Sequence, residues 1–288
     1  MCTVCGCGAE AAKATAADNH RHTHHRHTHH EDHAGHPRDE QANGDTAGPL
    51  GAVHAPGMAH SRIIQVEQDI LAENNRYADD NRRFFAASRI LGLNLMSSPG
   101  SGKTTLLVRT IQDLRQDVPI AVIEGDQQTS FDADRIHAAG AASVQINTGR
   151  NCHLNAHMVS HALARLKPKS GSVVFIENVG NLVCPAAFDL GEATKVVMLS
   201  VTEGDDKPLK YPDIFAASDL MVLTKMDLLP YVEFDVERCI AFARRIRPMI
   251  EVVQLSAKGG DGLDAWYRWI VQRRASSRNP EAVEAPSA

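Results

Sequence analysis

Seven short apolar runs, rich in β-branched residues, recur along the chain from residue 90 onward. They are Ile90–Met96, Ile120–Ile123, Ser143–Ile146, Val173–Ile176, Val196–Val201, Leu220–Leu223 and Val252–Leu255. Their length and composition predict strands, and amphipathic or alanine-rich stretches between most of them predict helices at 131–140, 153–166, 235–247 and 261–273. The alternation predicts a doubly wound α/β domain with a mainly parallel sheet, in which ligands bind at the carboxyl ends of the strands.

The segment before the first run has the spacing of one helix face. Its apolar residues are Ile63, Val66, Ile70, Leu71, Ala78, Phe84 and Phe85, with polar residues between them. Asn74–Asn75 and Asp79–Asn81 contain poor helix formers, so one continuous helix and a helix broken in the middle are equally compatible with the pattern. In either case we expect the segment to pack on the sheet and lead into the first strand.

Composition narrows the class of protein. The chain of 288 residues is 43% hydrophobic and 23% charged, which is typical of a globular protein, and a net charge of −5 gives no reason to expect nucleic acid as a partner. No apolar run approaches the roughly 20 residues of a membrane span, and residues 1–30 lack the core of a signal peptide, so we expect no membrane association. Six cysteines, three of them at positions 2, 5 and 7, fit metal-binding thiols in a reducing cytoplasm better than a disulfide framework.

A glycine-rich segment connects the first predicted strand to the helix that follows. Residues 95–105 read LMSSPGSGKTT, close to the phosphate-loop pattern G-x-x-x-x-G-K-[ST] with Ser97 at the first glycine position. In such a loop backbone N–H groups surround phosphate oxygens, Lys103 reaches the β- and γ-phosphates, and the Thr104 hydroxyl binds Mg²⁺. A glycine-rich turn without a ligand is the alternative, but the Lys-Thr pair after a buried strand argues against it. The predicted nucleotide-binding residues are Gly100, Ser101, Gly102, Lys103, Thr104 and Thr105.

Carboxylates follow two other predicted strands. Glu124 and Asp126 end one apolar run, and Glu177 follows another in the sequence ENVG, where GTPases often have D-x-x-G. A carboxylate at a strand end beside a phosphate loop can hold Mg²⁺ directly or through water. It can also cap a neighbouring helix, but we favour metal binding or water positioning for Asp126 and Glu177. The predicted catalytic residues are Lys103, Thr104, Asp126 and Glu177.

Two segments after later strands match the recognition of guanine. Residues 224–227 read TKMD, which resembles N-K-x-D with Thr224 in place of asparagine, and residues 256–258 read SAK. The two oxygens of Asp227 match the N1–H and N2 amino donors of guanine, whereas adenine would place an acceptor against this carboxylate. The Lys225 stem can cover the base, and the SAK backbone can contact guanine O6. We therefore expect GTP as the ligand, with base-binding residues Thr224, Lys225, Asp227, Ser256, Ala257 and Lys258.

The internal cysteines and nearby histidines predict a metal site. Cys152 and His153 open a helix-like stretch, and Cys184 follows the ENVG segment. His157 and His161 follow His153 at intervals of four, which would place all three on one helix face. Thiolate and imidazole ligands suit Ni²⁺ or Zn²⁺, and two such sets across a dimer axis could share one site. Buried free cysteines with surface histidines are the alternative. We assign Cys152, His153 and Cys184 to the site, with His157 as a further candidate.

Cysteines and histidines also concentrate near the N-terminus. Cys2, Cys5 and Cys7 stand in MCTVCGCG, whose glycines let three sulfurs converge on one Ni²⁺ or Zn²⁺ ion. Nine of the 15 histidines follow: His20, His22, His24, His25, His27, His29, His30, His33 and His36. This density cannot form a packed core and indicates several modest-affinity metal sites, and its irregular spacing behind a cysteine motif argues against an expression tag. We expect residues 1–60, which end in a flexible linker, to be mostly disordered without metal.

The order of these segments resembles that of a known family. CTVCGCG, the histidine tract, LMSSPGSGKTTLL, EGDQQT, NTGRNCHL, ENVGNLVCPA and LTKMDLL are similar to the hydrogenase-maturation nickel-insertion GTPases, the HypB family of SIMIBI-class P-loop GTPases. The resemblance covers nearly the whole chain. It implies a low-turnover regulatory GTPase that forms a homodimer on binding nucleotide and metal. It also implies delivery of Ni²⁺ to the [NiFe]-hydrogenase large subunit precursor, together with a zinc-containing hydrogenase accessory protein.

Three segments follow from this resemblance and the composition. They are a metal-binding tail and linker at 1–60, a GTPase domain at 61–278 and a disordered C-terminal tail at 279–288.

Two other functions remain open at this stage. A urease accessory GTPase shares the fold and the metal but has a Cys-Pro-His type of site and usually lacks CTVCGCG. If the protein stores nickel, deleting residues 1–60 should abolish its function at every nickel level. If it is an insertase, the deletion should cause a defect mainly when nickel is scarce.

Overall fold

A parallel β-sheet runs through the residues that the structure, a computed structural model, describes: 60–126, 131–149 and 151–278. Its strands are β1 (Leu91–Ser97), β2 (Ile120–Asp126), β3 (Ala142–Asn147), β4 (Val173–Glu177), β5 (Thr194–Ser200), β6 (Leu220–Thr224) and β7 (Glu251–Gln254). They lie in the order β3-β2-β4-β1-β5-β6-β7, and every pairing is parallel. The predicted seven strands and doubly wound α/β architecture are confirmed.

Helices cover both faces of the sheet. In the described residues they are α1 (His60–Ala87), α2 (Lys103–Leu114), α3 (Phe131–Ala138), α4 (Ala156–Leu166), α5 (Cys184–Ala187), α6 (Lys207–Lys210), α7 (Pro212–Ala217), α8 (Val236–Ile246) and α9 (Leu263–Arg278), with a 3₁₀ helix at Met226–Tyr231. The four helices predicted between the later strands are confirmed. α4 begins later than predicted because Asn155 caps it, accepting a hydrogen bond from the N–H of Met158.

Apolar side chains fill both sides of the sheet. On one face Phe175 of β4 and Trp266 of α9 belong to one buried cluster. On the other face Ile176 of β4 packs in a second cluster with Phe85 of α1 and Leu163 of α4. Because both faces are covered, the strands are continuous apolar runs, as parallel strands usually are. Most polar side chains of these strands lie at the strand ends, and Asn94, buried in the middle of β1, is an exception.

α1 is one continuous helix of 28 residues, which decides between the two alternatives that its sequence left open. The asparagines that weaken its helix propensity bond to neighbouring backbone. Asn74 donates to the Asp189 carbonyl at 2.7 Å and accepts from the Ala156 N–H at 2.9 Å. Asn81 donates to the carbonyls of Ala156 at 2.8 Å and Leu190 at 3.0 Å. These tertiary hydrogen bonds offset the weak local propensity.

Two further predictions concern membrane-spanning segments and the metal ligands near the N-terminus. No helix in the described part is both long and apolar enough to cross a bilayer. The predicted N-terminal metal ligands, Cys2, Cys5, Cys7 and the nine histidines from His20 to His36, lie outside the described residues. Their assignment stays a prediction.

Thr110→Val tests a buried hydrogen bond between α2 and α9. The Thr110 hydroxyl donates to the Leu106 carbonyl at 2.7 Å and accepts from Trp266 Nε1 at 2.9 Å. Valine has nearly the same shape but leaves the indole N–H unpaired, so urea denaturation should show a loss of about 1–3 kcal/mol in the free energy of unfolding. Trp266→Phe removes the donor itself, so Thr110→Val should cost much less in that background. Equal costs in both backgrounds would contradict this assignment.

Candidate functional site

The phosphate loop has the local geometry that its sequence predicts. Gly100 and Gly102 have φ angles of 76° and 97°, a left-handed conformation that strains other residues. α2 begins directly after Gly102, so the N-terminus of this helix faces the loop. Ser97, at the first glycine position, ends β1, and its hydroxyl accepts from Lys103 Nζ at 2.8 Å and from Ser101 Oγ at 2.6 Å. Serine is therefore compatible with the loop and helps to hold Lys103.

Two carboxylates converge on the hydroxyl of Thr104. Thr104 Oγ1 lies 2.7 Å from Glu177 Oε1, at the end of β4, and 3.1 Å from Asp132 Oδ2, on α3. One hydroxyl proton can satisfy only one of these acceptors at a time. The two carboxylates therefore compete for one proton donor, and Asp132 is also paired through Oδ1 with Arg135 at 3.1 Å.

Two buried carboxylate oxygens, in residues that line the same cavity as Thr104, have no hydrogen-bond partner among the described residues. They are Oε2 of Glu177, which is 5% exposed, and Oε2 of Glu124, which is 2% exposed. Burial, together with the charge of Glu177, raises the pKa of Glu124 to about 8. Burial also raises the pKa of Glu177, although the Lys103 ammonium opposes this. Buried carboxylates require a cation or a proton, and such a set of oxygens fits Mg²⁺.

The TKMD segment is joined to the phosphate loop by two hydrogen bonds. Thr224 Oγ1 donates to the Ser101 carbonyl at 2.7 Å, and Lys225 Nζ donates to the Gly100 carbonyl at 2.7 Å. Lys225 has a positive φ of 57°. Threonine in place of asparagine therefore still connects this segment to the loop.

The expected guanine-binding residues surround a cavity of about 240 Å³ next to the phosphate loop. Its lining includes Asp227, Ala257 and Lys258. Ser256 lies behind Asp227, and its Oγ donates to Asp227 Oδ1 at 2.5 Å while accepting from the Gly259 N–H at 2.8 Å. The carboxylate is thereby oriented by a hydroxyl that is itself fixed. The TKMD and SAK segments meet here as the sequence predicts.

Cys152, His153 and Cys184 form a cluster of potential metal ligands. The two Sγ atoms are 2.9 Å apart, and Cys152 Sγ lies 3.8 Å from His153 Nδ1. Burial lowers the pKa of His153 to about 4, so its imidazole is neutral. Burial and the neighbouring Cys184 thiol raise the pKa of Cys152 to about 11, so without a cation it keeps its proton. Two thiols and a neutral imidazole suit Ni²⁺ or Zn²⁺, whose binding would release thiol protons.

His157 does not join this cluster, and the prediction that His153, His157 and His161 share one helix face is wrong. α4 begins at Ala156, so His153 precedes the helix, and its ring centroid lies 4.0 Å from that of Phe188. His157 instead lies beside His161, with their Nε2 atoms 2.9 Å apart. Among the described residues, the group of three convergent ligands contains Cys152, His153 and Cys184 alone.

One cavity of about 590 Å³ has both the phosphate loop and Cys152 of the metal-ligand cluster in its lining. Its lining includes the loop, Asp126, Glu177 and Cys152. It also includes four residues that sequence reasoning missed: Asp132, Arg135, Asn178 and Asn181. The two asparagines belong to the ENVGN segment in which only the glutamate was assigned, so a signal existed for them. Asp132 and Arg135 lie in the first and last turns of α3, and no sequence motif marks them as site residues.

Glu124→Gln should change how stability depends on pH. Because the pKa of Glu124 rises from about 4.5 to about 8 on folding, the folded state keeps a proton that the unfolded state loses. The free energy of unfolding of the nucleotide-free protein, relative to Glu124→Gln, should therefore fall as pH rises from about 4.5 to about 8. Urea denaturation of both proteins in magnesium-free buffer measures this difference. A difference independent of pH would contradict the assigned pKa.

Comparison with known proteins gives the family. Residues 92–254 match the family described as CobW/HypB/UreG, nucleotide-binding domain. The chain is 57% identical over 285 residues to hydrogenase maturation factor HypB of Azotobacter vinelandii, covering 96% of this chain and 93% of that protein. It is 58% identical over 223 residues to HypB of Escherichia coli K12, covering 77% of each.

Solved structures agree with the sequence comparison. The crystal structure of hydrogenase maturation factor HypB from Archaeoglobus fulgidus is 41% identical, with a TM-score of 0.67 over 71% of this chain and 100% of that one. The structure of HypB from Helicobacter pylori in complex with nickel is 35% identical, with a TM-score of 0.67 over 75% of this chain and 99% of that one. The fold, the phosphate loop and these similarities together show that the chain belongs to the HypB family of hydrogenase maturation factors, which are P-loop GTPases.

Proposed function

We propose that this chain hydrolyses GTP and uses the nucleotide state to hold or release nickel for the [NiFe]-hydrogenase large subunit precursor. The observation that carries this proposal is the shared cavity, which has the phosphate loop and Cys152 in its lining. The segment after Glu177 also lies against the loop, since a Cβ on Gly180 would be 3.0 Å from Pro99. A change at the γ-phosphate position would therefore act on the residues that lead to Cys184.

In the proposed reaction water attacks the γ-phosphorus, and the bond to the β–γ bridging oxygen breaks to give GDP and phosphate. Lys103 and the backbone N–H groups of the loop bind the phosphates. Thr104 and Glu177 would hold Mg²⁺, with Asp126 acting directly or through water. When bound there, Mg²⁺ would supply positive charge against the phosphate oxygens. We propose a slow, regulatory turnover.

Nickel is the proposed cargo of the Cys152, His153 and Cys184 cluster. Thiolate and neutral imidazole ligands favour Ni²⁺ or Zn²⁺ over Mg²⁺, which separates this site from the oxygen-lined site at Thr104. The related HypB of Helicobacter pylori has been crystallised in complex with nickel. Zn²⁺ is compatible with the same ligands, so we propose nickel as the delivered ion and zinc as a possible occupant of the same site.

The remaining parts of the proposal concern the tail and the partners. The N-terminal cysteines and histidines would bind and store nickel for the GTPase domain. A homodimer that depends on nucleotide and metal, a zinc-containing hydrogenase accessory protein and the large subunit precursor are the proposed partners, in the cytoplasm. The similarity to curated hydrogenase maturation factors supports this setting.

Asp227→Asn should weaken GDP binding and shift base preference. The asparagine amide would place an N–H₂ donor against a donor of guanine, whereas xanthine offers an oxygen there. Hydrogen bonds to a charged group contribute about 1.5–3 kcal/mol each, so we expect GDP affinity to fall about tenfold to thousandfold and xanthosine diphosphate to bind better than GDP. Titration with labelled nucleotides measures both. Ser256→Ala removes only the hydroxyl that orients Asp227, so it should weaken GDP binding without favouring xanthosine diphosphate. Unchanged GDP affinity in Asp227→Asn would contradict base recognition by Asp227.

Nickel should change the nucleotide preference of the full-length chain. Coupling between sites is reciprocal, so a nickel site that senses nucleotide must shift the ratio of GDP to GTP-analogue affinities, typically by about 5- to 150-fold. Cys152→Ser with Cys184→Ser should abolish the shift.

Cys239→Ala is the matched control, because Cys239 is fully buried in an apolar cluster and should leave the shift intact. A wild type without any shift would favour nickel storage over regulated delivery. If nickel still shifts the ratio of nucleotide affinities in the double serine variant, the nickel responsible is bound by the N-terminal tail and not by Cys152 and Cys184.

A further inference from the structure

A chain of buried polar side chains begins at Asn178, next to Glu177 of the nucleotide site. Its members are Asn178, Asn94 and Glu192, which are 2%, 0% and 9% exposed. Asn178 directly follows Glu177, Asn94 lies in the middle of β1, and Glu192 lies just before β5. Buried polar groups of this kind must be paired with one another, so each one restricts where its neighbours can be.

Asn178 is fixed to the segment that carries Cys152 and His153. Its Oδ1 accepts from the N–H of Leu154 at 3.0 Å and from the N–H of Val179 at 3.0 Å. Two backbone donors on one oxygen determine the orientation of the amide. Leu154 immediately follows His153, so any displacement of Asn178 either breaks this buried bond or moves the two ligands.

The other end of the Asn178 amide leads across the sheet. Its Nδ2 donates to Asn94 Oδ1 at 3.3 Å, and Asn94 Nδ2 donates to Glu192 Oε1 at 3.0 Å. Glu192 Oε2 accepts from the N–H of Leu190 at 2.6 Å. All donors in this chain point toward the glutamate, so no amide can turn without leaving a buried group unpaired.

The same glutamate lies beside the segment that carries Cys184. Lys195 Nζ lies 3.9 Å from Glu192 Oε1 and donates to the carbonyls of Ala186 at 3.3 Å and Phe188 at 3.1 Å. Ala186 belongs to α5, which begins at Cys184. From a single residue next to Glu177, the chain of side chains therefore reaches the backbone segments that carry the two halves of the metal-ligand cluster.

We propose that Asn178 is the positioning residue that transmits the nucleotide state to the metal site, through Leu154 on one side and through Asn94 and Glu192 on the other. This inference rests on the proposed function and names its physical route. Nucleotide exchange that shifts the end of β4 displaces Asn178, and its buried hydrogen bonds require Cys152 and Cys184 to follow. Two discrete arrangements result, because a partly broken buried network is costly.

A second contact is a weaker candidate for this route. Asn181 Nδ2 donates to the Cys152 carbonyl at 3.3 Å, and Asn181 Oδ1 accepts from the N–H of Val183. Asn181 is only partly buried, so water can replace these bonds when the segment moves. Asn178 has no such substitute at 2% exposure.

Nickel protection of individual cysteines tests the inference in the full-length chain. Alkylation of Cys152 and Cys184, read by peptide mass spectrometry at buffered free nickel, gives the apparent nickel affinity of this site apart from the tail. The measured quantity is the ratio of affinities at saturating GDP and saturating GTP analogue. We expect a wild-type ratio that differs from one by at least about fivefold. In Asn178→Asp the bonds from Leu154 and Val179 remain but a carboxylate oxygen faces Asn94 Oδ1, so the ratio should fall below about twofold.

Asn81→Ala is the matched control, since Asn81 is 2% exposed and also makes two hydrogen bonds to backbone. It should lower the melting temperature yet keep the wild-type ratio. The proposed route needs both arms, because Cys152 and Cys184 must move together. A wild-type ratio in Asn178→Asp, which breaks only the arm through Asn94, would therefore overturn the route and leave the proposed function standing. If the ratio of nickel affinities also falls below about twofold in Asn81→Ala, the route through Asn178 is overturned as well. Loosened packing anywhere near α1 would then be enough to uncouple the two sites. A wild-type ratio of one would overturn the proposed function and this inference together.

If Asn178→Asp does not fold, amide hydrogen exchange of the wild-type protein tests the proposed route instead. Exchange from GDP to the GTP analogue should change amide protection at Leu154 and at Leu190, the two backbone donors at the ends of the route. Changes confined to the phosphate loop and to residues 177–180 would overturn the proposal.

Discussion

Parallel pairing of all seven strands is the constraint on which this structure depends. It places the carboxyl ends of β1, β2, β4 and β6 at one edge of the sheet. The phosphate loop follows β1, Asp126 and Glu177 are the last residues of β2 and β4, and the TKMD segment begins at the last residue of β6. Residues far apart in sequence therefore meet there. The metal-ligand cluster shares this edge because Cys152 follows β3 and Cys184 follows β4.

Burial of charge at that edge explains how two different cations can have separate sites. The side chains of Glu124 and Glu177 are almost fully buried from solvent, and each has one oxygen without a hydrogen-bond partner among the described residues. A hard cation or a proton must therefore neutralise them. Cys152 lines the same cavity, and burial favours its neutral thiol and the neutral imidazole of the adjacent His153. A softer ion that displaces thiol protons is favoured there. Oxygen and sulfur ligands thus separate the proposed Mg²⁺ site from the proposed nickel site.

Much of the fold and the site could be predicted from local sequence. Apolar runs predicted all seven strands, and the motifs around Lys103, Asp227 and Cys152 predicted which loops meet. The continuity of α1 could not be predicted, because Asn74 and Asn81 gain partners only in the folded chain. The separation of His157 from His153 depends on the cap at Asn155, which helical spacing alone does not show. Asp132 and Asn178 were missed because their roles depend on contacts with Thr104 and Leu154 that span distant segments.

The central claim is that one segment, residues 177–184, couples the nucleotide to the metal. Crystals of the full-length chain with nickel, bound either to GDP or to a GTP analogue, would test it by anomalous diffraction at the nickel edge. The account predicts a nickel peak bonded to Cys152 and Cys184 in one nucleotide state and a weakened or displaced peak in the other, with the segment shifted between them. Identical peaks and an unmoved segment in both states would contradict it.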